Sequence, residues 1–187
     1  IENGIQPEKI QILTFTKRSA NEIVERVKAS LTDNQAQSLN GSTFHSWCNQ
    51  LIVRYPNLFG ASNYTVIDPD DQLSVMKMVC GDRIIEYKGV RIKPQQLLDI
   101  YSYGRNTRKN LTNSIRERIY KGKSDAETND EIDIIRPKVE VLLKAYQQKK
   151  EEGRYLDYDD LLLVVANRIR NDDEAKEILN HQLEHLL

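Results

Sequence analysis

Two short stretches place hydroxyls, cations and aromatics where an apolar run gives way to a helical pattern. The first is Leu13-Thr14-Phe15-Thr16-Lys17-Arg18-Ser19-Ala20. Its leading residues, Ile10 to Thr16, alternate and are rich enough in β-branched types to read as a strand. A helix must follow at once, so unpaired backbone N–H groups, two hydroxyls and two cations meet at one point, a combination that suits a phosphate group. The same residues also fit a purely local role, with Thr16 or Ser19 capping the helix and both cations solvated. The second stretch is Gly41-Ser42-Thr43-Phe44-His45-Ser46-Trp47-Cys48. Thr43 is a good N-cap there, an imidazole at a helix start can hold phosphate, and an exposed aromatic can stack on a base. The local alternative is a capped helix with Phe44 and Trp47 in the core and His45 at the surface.

Two further clusters carry charge. Ser102-Tyr103-Gly104-Arg105-Asn106-Thr107-Arg108-Lys109-Asn110 mixes tyrosines, amides and cations, the composition that binds a nucleic-acid backbone, with Tyr101 or Tyr103 available for stacking. A solvated basic face accounts for it equally well. Asp157-Tyr158-Asp159-Asp160 sets three carboxylates at a helix start, where the helix dipole stabilises them. A Mg²⁺ site would need further oxygen ligands that the sequence does not supply. Gly122-Lys123-Ser124 has the tail of a phosphate-binding loop, yet Glu117 stands where the first glycine belongs and a helix precedes it. It reads as a polar loop, and no segment supplies a Gly-rich anion cradle.

The elements that must position these groups change texture along the chain. Ala20, Ile23, Val24, Val27 and Leu31 form one helical stripe, so residues 10 to 31 read as a strand-turn-helix unit. Gln37 to Ser42 is a short strand, followed by a helix with Phe44, Trp47, Cys48, Leu51, Ile52 and Tyr55 on one face, stopped by Pro56. From Tyr64 helix follows helix. Asp68-Pro69 opens one carrying Leu73, Met76 and Cys80, and Pro94 opens another carrying Leu97, Leu98 and Tyr101. Leu111 to Tyr120 and Ile132 to Lys150 are two more, with Pro137 in the first turn of the last or kinking it, and with Lys121 to Asp130 a mobile loop. After Gly153, Asp157 caps a helix burying Leu161, Leu162, Val165, Ala166 and Ile169. A shorter helix spans about Asp173 to His181, and His185-Leu186-Leu187 reads as the beginning of a strand.

The chain has 187 residues, 29% charged and 39% hydrophobic, with a net charge of -1 that is a sum of unlike parts. Residues 1 to 87 are mildly acidic, and residues 124 to 187 strongly so. Residues 88 to 123 hold ten cations against only Asp99 and Glu117. Cys48 and Cys80 are far apart with no paired spacing, and the three histidines are scattered. Reduced core thiols are therefore expected and a zinc site is not. No apolar run is long enough to span a membrane, and the expected location is cytoplasmic.

In this order, four segments resemble the N-terminal region of UvrD/Rep/PcrA-type superfamily 1 DNA helicases. Leu13 through Ile23 looks like motif Ia, usually written LTFTNKAAxEM, and Thr43-Phe44-His45-Ser46 looks like motif Ib, TFHS. Ser102-Tyr103-Gly104-Arg105-Asn106 is similar to the SxxKN segment, and Asp157-Tyr158-Asp159-Asp160-Leu161-Leu162 to DFDDLL. One departure is the usual Asn-Lys of motif Ia, which is Lys17-Arg18 here. It keeps the charge and loses the amide.

The resemblance implies a partial RecA-like α/β subdomain 1A of P-loop NTPase type, carrying an inserted all-helical subdomain 1B. The implied divisions are 1–68 (1A), 69–152 (1B) and 153–187 (1A again), with mostly α content. It implies a piece of an ATP-dependent 3′–5′ helicase, with Walker A upstream of Ile1 and Walker B continuing from Leu187. ATP and Mg²⁺ would then serve the full-length parent, with no cofactor held by this piece and no ATPase activity of its own. Implied partners are single-stranded DNA, duplex junctions and DNA-repair or replication proteins. The residues carried over as DNA contacts are Phe15, Thr16, Lys17, Thr43, Phe44 and His45. Arg18, Arg105, Arg108 and Lys109 join them on charge, and Asn106 as an amide of the same basic stretch. Two other readings remain open: a subunit of a helicase-nuclease, or a helical protein-interaction module.

Overall fold

A computed structural model describes residues 4–30 and 38–187. Leu31 and Gln37 lie outside the described residues. The expected α/β class with mostly helical content holds, and the chain divides into two compact units, residues 1–63 with 160–187, and residues 64–159.

In the first unit, β1 (Ile10–Thr14) runs parallel to β2 (Asn40–Thr43) on one side and to β7 (His185–Leu186) on the other. The helix α1 (Lys17–Ala29) follows β1, and α2 (Phe44–Arg54) follows β2. Both are β-to-α turns of the kind that parallel sheets require. Ile10, Ile12, Val24 and Leu39 form the core between the sheet and α1, with Val27 packed against them. Ile23, counted in that stripe, is exposed instead. Gly41 is what lets β2 and α1 close together. A Cβ there would stand 2.5 Å from Val24 Cγ2 and 3.3 Å from the Ala20 carbonyl oxygen.

The second unit is helical. It contains α3 (Pro69–Cys80), α4 (Pro94–Thr107), α5 (Leu111–Ile119) and α6 (Ala126–Gly153), around a core that includes Met76, Leu97, Ile100, Ile115, Ile132, Val139 and Tyr146. Two short strands, β3 (Thr65–Val66) and β6 (Tyr155–Leu156), pair in parallel. The segment that follows enters α7 (Tyr158–Asn171), and α8 (Asp173–Gln182) follows in the first unit.

The structure corrects the sequence-based expectation in three places. The helix α6 begins at Ala126, so the second half of the expected loop at Lys121 to Asp130 is its first turn and a half. Asp125 caps it, accepting from the Thr128 amide at 2.8 Å and the Thr128 hydroxyl at 3.0 Å. A polar run rich in capping types is a helix start as readily as a loop. Pro137 consequently lies well inside α6 rather than in its first turn, removing one N–H donor. Second, β4 (Ile85–Tyr87) and β5 (Val90–Ile92) form an antiparallel hairpin that the helical reading passes over. Its turn residues Lys88 and Gly89 both have positive φ, 45° and 80°, the backbone that a tight two-residue hairpin turn demands. Third, Ala166 is exposed, whereas Asp160 is buried with Leu161 and Val165.

Candidate nucleic-acid interface

The register of β1 on β2 sets Thr14 opposite Thr43, so both strands finish level at one edge of the sheet. Each strand then delivers a helix N-terminus at that edge. Ligands of open α/β sheets sit at the carboxyl ends of the strands. Thr16 is the cap of α1, its Oγ1 accepting from the Ser19 amide at 3.1 Å, and the alternative cap at Ser19 is not used. Thr14 Oγ1 donates to the Thr16 carbonyl at 2.8 Å and holds the turn closed. Thr43 caps α2 in the same way, with its Oγ1 3.2 Å from the Ser46 amide nitrogen.

Neither helix has an acid in its first turn. That absence matters electrostatically, because α3 and α8 both carry acids there, Asp70 and Asp71 in one and Asp173 and Glu174 in the other. The positive ends of α1 and α2 are thus not neutralised from within their own first turns. Lys17 and Arg18 add two exposed cations, neither of them ion-paired among the described residues. Phe15 is 90% exposed, with its ring centroid 5.3 Å from that of half-buried Phe44. An aromatic projected almost wholly into solvent costs hydrophobic free energy and offers a stacking face in return. His45 is half-buried and has an interaction partner, and Trp47 is also half-buried. Seven of the residues singled out in the sequence, Phe15, Thr16, Lys17, Arg18, Thr43, Phe44 and His45, therefore share one edge of the first unit.

The other four, Arg105, Asn106, Arg108 and Lys109, belong to the second unit. Arg105 is only partly exposed. Its Nη1 donates to the Tyr101 hydroxyl at 2.8 Å, and its guanidinium stands 5.1 Å from the Tyr101 ring centre. Asn106 donates from Nδ2 to Asp159 Oδ1 at 3.0 Å and to Ser102 Oγ at 3.1 Å. Its two amide N–H donors are thus engaged within the protein. Lys109 Nζ donates to the Tyr103 hydroxyl at 3.0 Å, and this bond holds the ammonium above its ordinary pKa. Arg108 ends α4 in a left-handed conformation and is exposed. Lys109 also stands 3.7 Å from Glu117 Oε1, so of the four Arg108 is the cation least engaged within the protein.

The three acids at the start of α7 do not converge on a common point. Asp157 is buried and accepts from Lys150 Nζ at 2.5 Å, Asp159 accepts from Ser102 and Asn106, and Asp160 is buried with a partner of its own. No group of three or more potential metal ligands occurs among the described residues. Nor does Gly122-Lys123-Ser124 fit a nucleotide phosphate. The Gly122 amide donates to the Arg116 carbonyl and the Lys123 amide to the Tyr120 carbonyl, leaving no free amide cradle.

The buried Lys150 is the feature that sequence reasoning missed. Its ammonium lies 5.1 Å from the Tyr101 ring centre and 5.3 Å from that of Tyr146, and these two rings meet edge to face. A lysine at the polar end of a long helix gave no sign of burial. The signal available was an acid seven residues on, Asp157, across a helix end.

The UvrD/REP helicase N-terminal domain model matches residues 1–187. The ATP-dependent DNA helicase PcrA of Staphylococcus aureus is 29% identical over 186 residues, and that of Staphylococcus epidermidis 30%. In both cases the match covers 99% of this chain and 23% of the relative, so the chain spans about a quarter of the length of these proteins. Among the described residues no helix is long and apolar enough to cross a membrane.

Proposed function

Since the chain belongs to the UvrD/REP helicase N-terminal domain family, we propose that it holds single-stranded DNA within an ATP-dependent 3′–5′ DNA helicase. Residues of the first unit would belong to subdomain 1A and the helical unit to 1B. One observation carries the reading: two acid-free helix N-termini finish level on adjacent parallel strands, beside Phe15, Lys17 and Arg18. Phosphates would dock on the helix ends and the two cations, and a base would stack on Phe15. Nothing in such a site reads base edges, which suits a protein that must move along any sequence. ATP and Mg²⁺, held by parts of the parent outside this chain, would supply the energy of the cycle. Motion of one strand-gripping unit against another would then turn these contacts on and off.

The test is a titration of the 187-residue chain with a labelled oligo-dT over a range of salt. Binding that weakens linearly with log salt supports the reading. For a single strand each phosphate contact contributes about -0.7 to the slope, so Lys17→Ala with Arg18→Ala should flatten it by about 1.4. An unchanged slope in that double variant would place the DNA elsewhere.

A further inference from the structure

The second unit carries an apolar groove that has no part in the site above. Two adjoining hollows, about 330 and 310 Å³, share Arg83, Ile84, Ile85 and Leu142 as lining. They lie between the β4–β5 hairpin and α6. Ile84 and Val141 stand at the surface, each 57% exposed, and Ile134 and Val141 continue one outward stripe of α6. Past Arg83 the apolar surface runs on to Met78, beside a third depression.

The charged residues that line the two hollows are of one sign, although Asp82 and Glu86 stand on the same segment, Glu86 opposite Arg91 in the hairpin. Arg83, Arg91, Lys93 and Lys138 line the two hollows, and no carboxylate does. Arg83 is partly used, donating from Nη2 to the Val79 carbonyl at 2.5 Å at the end of α3. Arg91, Lys93 and Lys138 have no ion-pair partner among the described residues. Glu140, on the same helix as Lys138, is taken by Lys144 and Arg136. An aliphatic floor under a cationic rim does not suit a nucleic acid, whose phosphates would gain nothing from Ile84 and Val141. It suits a chain that is apolar on one face and acidic on the other.

We propose that this groove docks an acidic amphipathic helix of a partner protein, with aliphatic or aromatic side chains set against Ile84, Ile85, Val141 and Leu142 and carboxylates set against Arg91, Lys93 and Lys138. Helix-in-groove recognition uses anchors one turn apart, and complementary charge fixes orientation and speeds encounter. This function is separate from DNA holding and does not depend on it.

The probe is a fluorescein-labelled peptide of about 16 residues, long enough for four helical turns, with Leu and Phe at i, i+3, i+4 and i+7 and Glu elsewhere. A control of the same composition has its apolar residues scattered around the helix. Binding of the probe and not of the control is expected, with Ile84→Glu and Val141→Glu each weakening it by about tenfold or more. Lys138→Glu should also weaken it and make the remainder less sensitive to salt. Both apolar sites are already exposed, so folding is preserved, which circular dichroism verifies. Amide-exchange protection on Ile84, Ile85 and the Val141 turn supplies an independent map. Equal binding to the Ile84→Glu and Val141→Glu variants, or none to the unsubstituted 187-residue chain, overturns the proposal. So does competition by oligo-dT that needs Arg91 and Lys138 but not Ile84, which would make the surface a nucleic-acid track. Self-association of the chain abolished by Val141→Glu would put a second copy in the groove and overturn it as well.

Discussion

Asn106 Nδ2 donates to Asp159 Oδ1 at 3.0 Å, and this pairing gives the asparagine a structural occupation. Ser102 adds a second bond to the other oxygen of the same carboxylate. The two donors lie one turn apart on α4, so Asp159 is held to that helix at two points. Asn106→Ala should therefore cost about 0.5–1.5 kcal/mol in urea unfolding and leave oligo-dT affinity unchanged. Asp159→Asn removes the charge from both bonds and should cost about 1.5–3 kcal/mol. A large loss of DNA binding in a stable Asn106→Ala protein would return Asn106 to the interface.

Phe15→Ala is the converse case. Its ring is almost wholly exposed, so the chain should unfold at the same denaturant concentration or slightly higher. Base stacking on an aromatic contributes about 1–3 kcal/mol, and anisotropy titration should show a loss of that order. Phe15→Trp should retain binding.

Lys150→Met removes the ammonium that faces buried Asp157, and unfolding should become easier by about 3–5 kcal/mol. Replacing Asp157 by Asn in the same chain should recover much of that loss. A double-mutant cycle in urea measures the coupling directly.

Asp125 supplies a pH dependence. Its carboxyl is held below the ordinary value chiefly by the Thr128 amide, and then by the Thr128 hydroxyl. A carboxyl whose folded pKa is lowered adds stability that is complete above its unfolded value, near 3.8, and is lost as pH falls through the lower folded value. Acid should thus loosen the N-terminal turn of α6. In Asp125→Asn, which still caps, that part of the acid sensitivity should vanish, as followed by the Thr128 amide resonance.

Burial pushes the Cys48 thiol up to about 11. At pH 8 only about one molecule in a thousand would carry the thiolate. Cys80, also buried, is raised in the same direction. Alkylation by iodoacetamide at pH 8 should be slow in the folded chain and fast in urea; rapid labelling under native conditions would mean the helices open.

Much of this was legible in the sequence because it is local. A cap is read from a side-chain oxygen and an amide two or three residues on, so Thr43 on Ser46 and Asp68 on Asp70 and Asp71 follow from short spacing alone. The level edge of the two motifs follows once both strands are assigned to one parallel sheet. What escaped depends on partners distant in sequence or on weak local patterns. Three-residue strands such as Ile85–Tyr87 are too short for alternation to register. The start of α6 was hidden because Thr128 and Glu131 are polar yet buried. Asp159 with Ser102 spans 57 positions, which no window of periodicity contains. Equal-looking cations consequently sorted into engaged ones, such as Arg105, and open ones, such as Arg108.

The absence of a side chain at Gly41 also bears on how the sheet is threaded. If β2 slid along β1 by one or two positions, Leu39, Asn40, Ser42 or Thr43 would come to rest under α1, and each would drive a Cβ into the space that Val24 Cγ2 fills. Each misaligned pairing therefore carries a steric cost that the observed register avoids. The alignment of Thr14 with Thr43 is guarded from a point two residues away, by an atom that is not there.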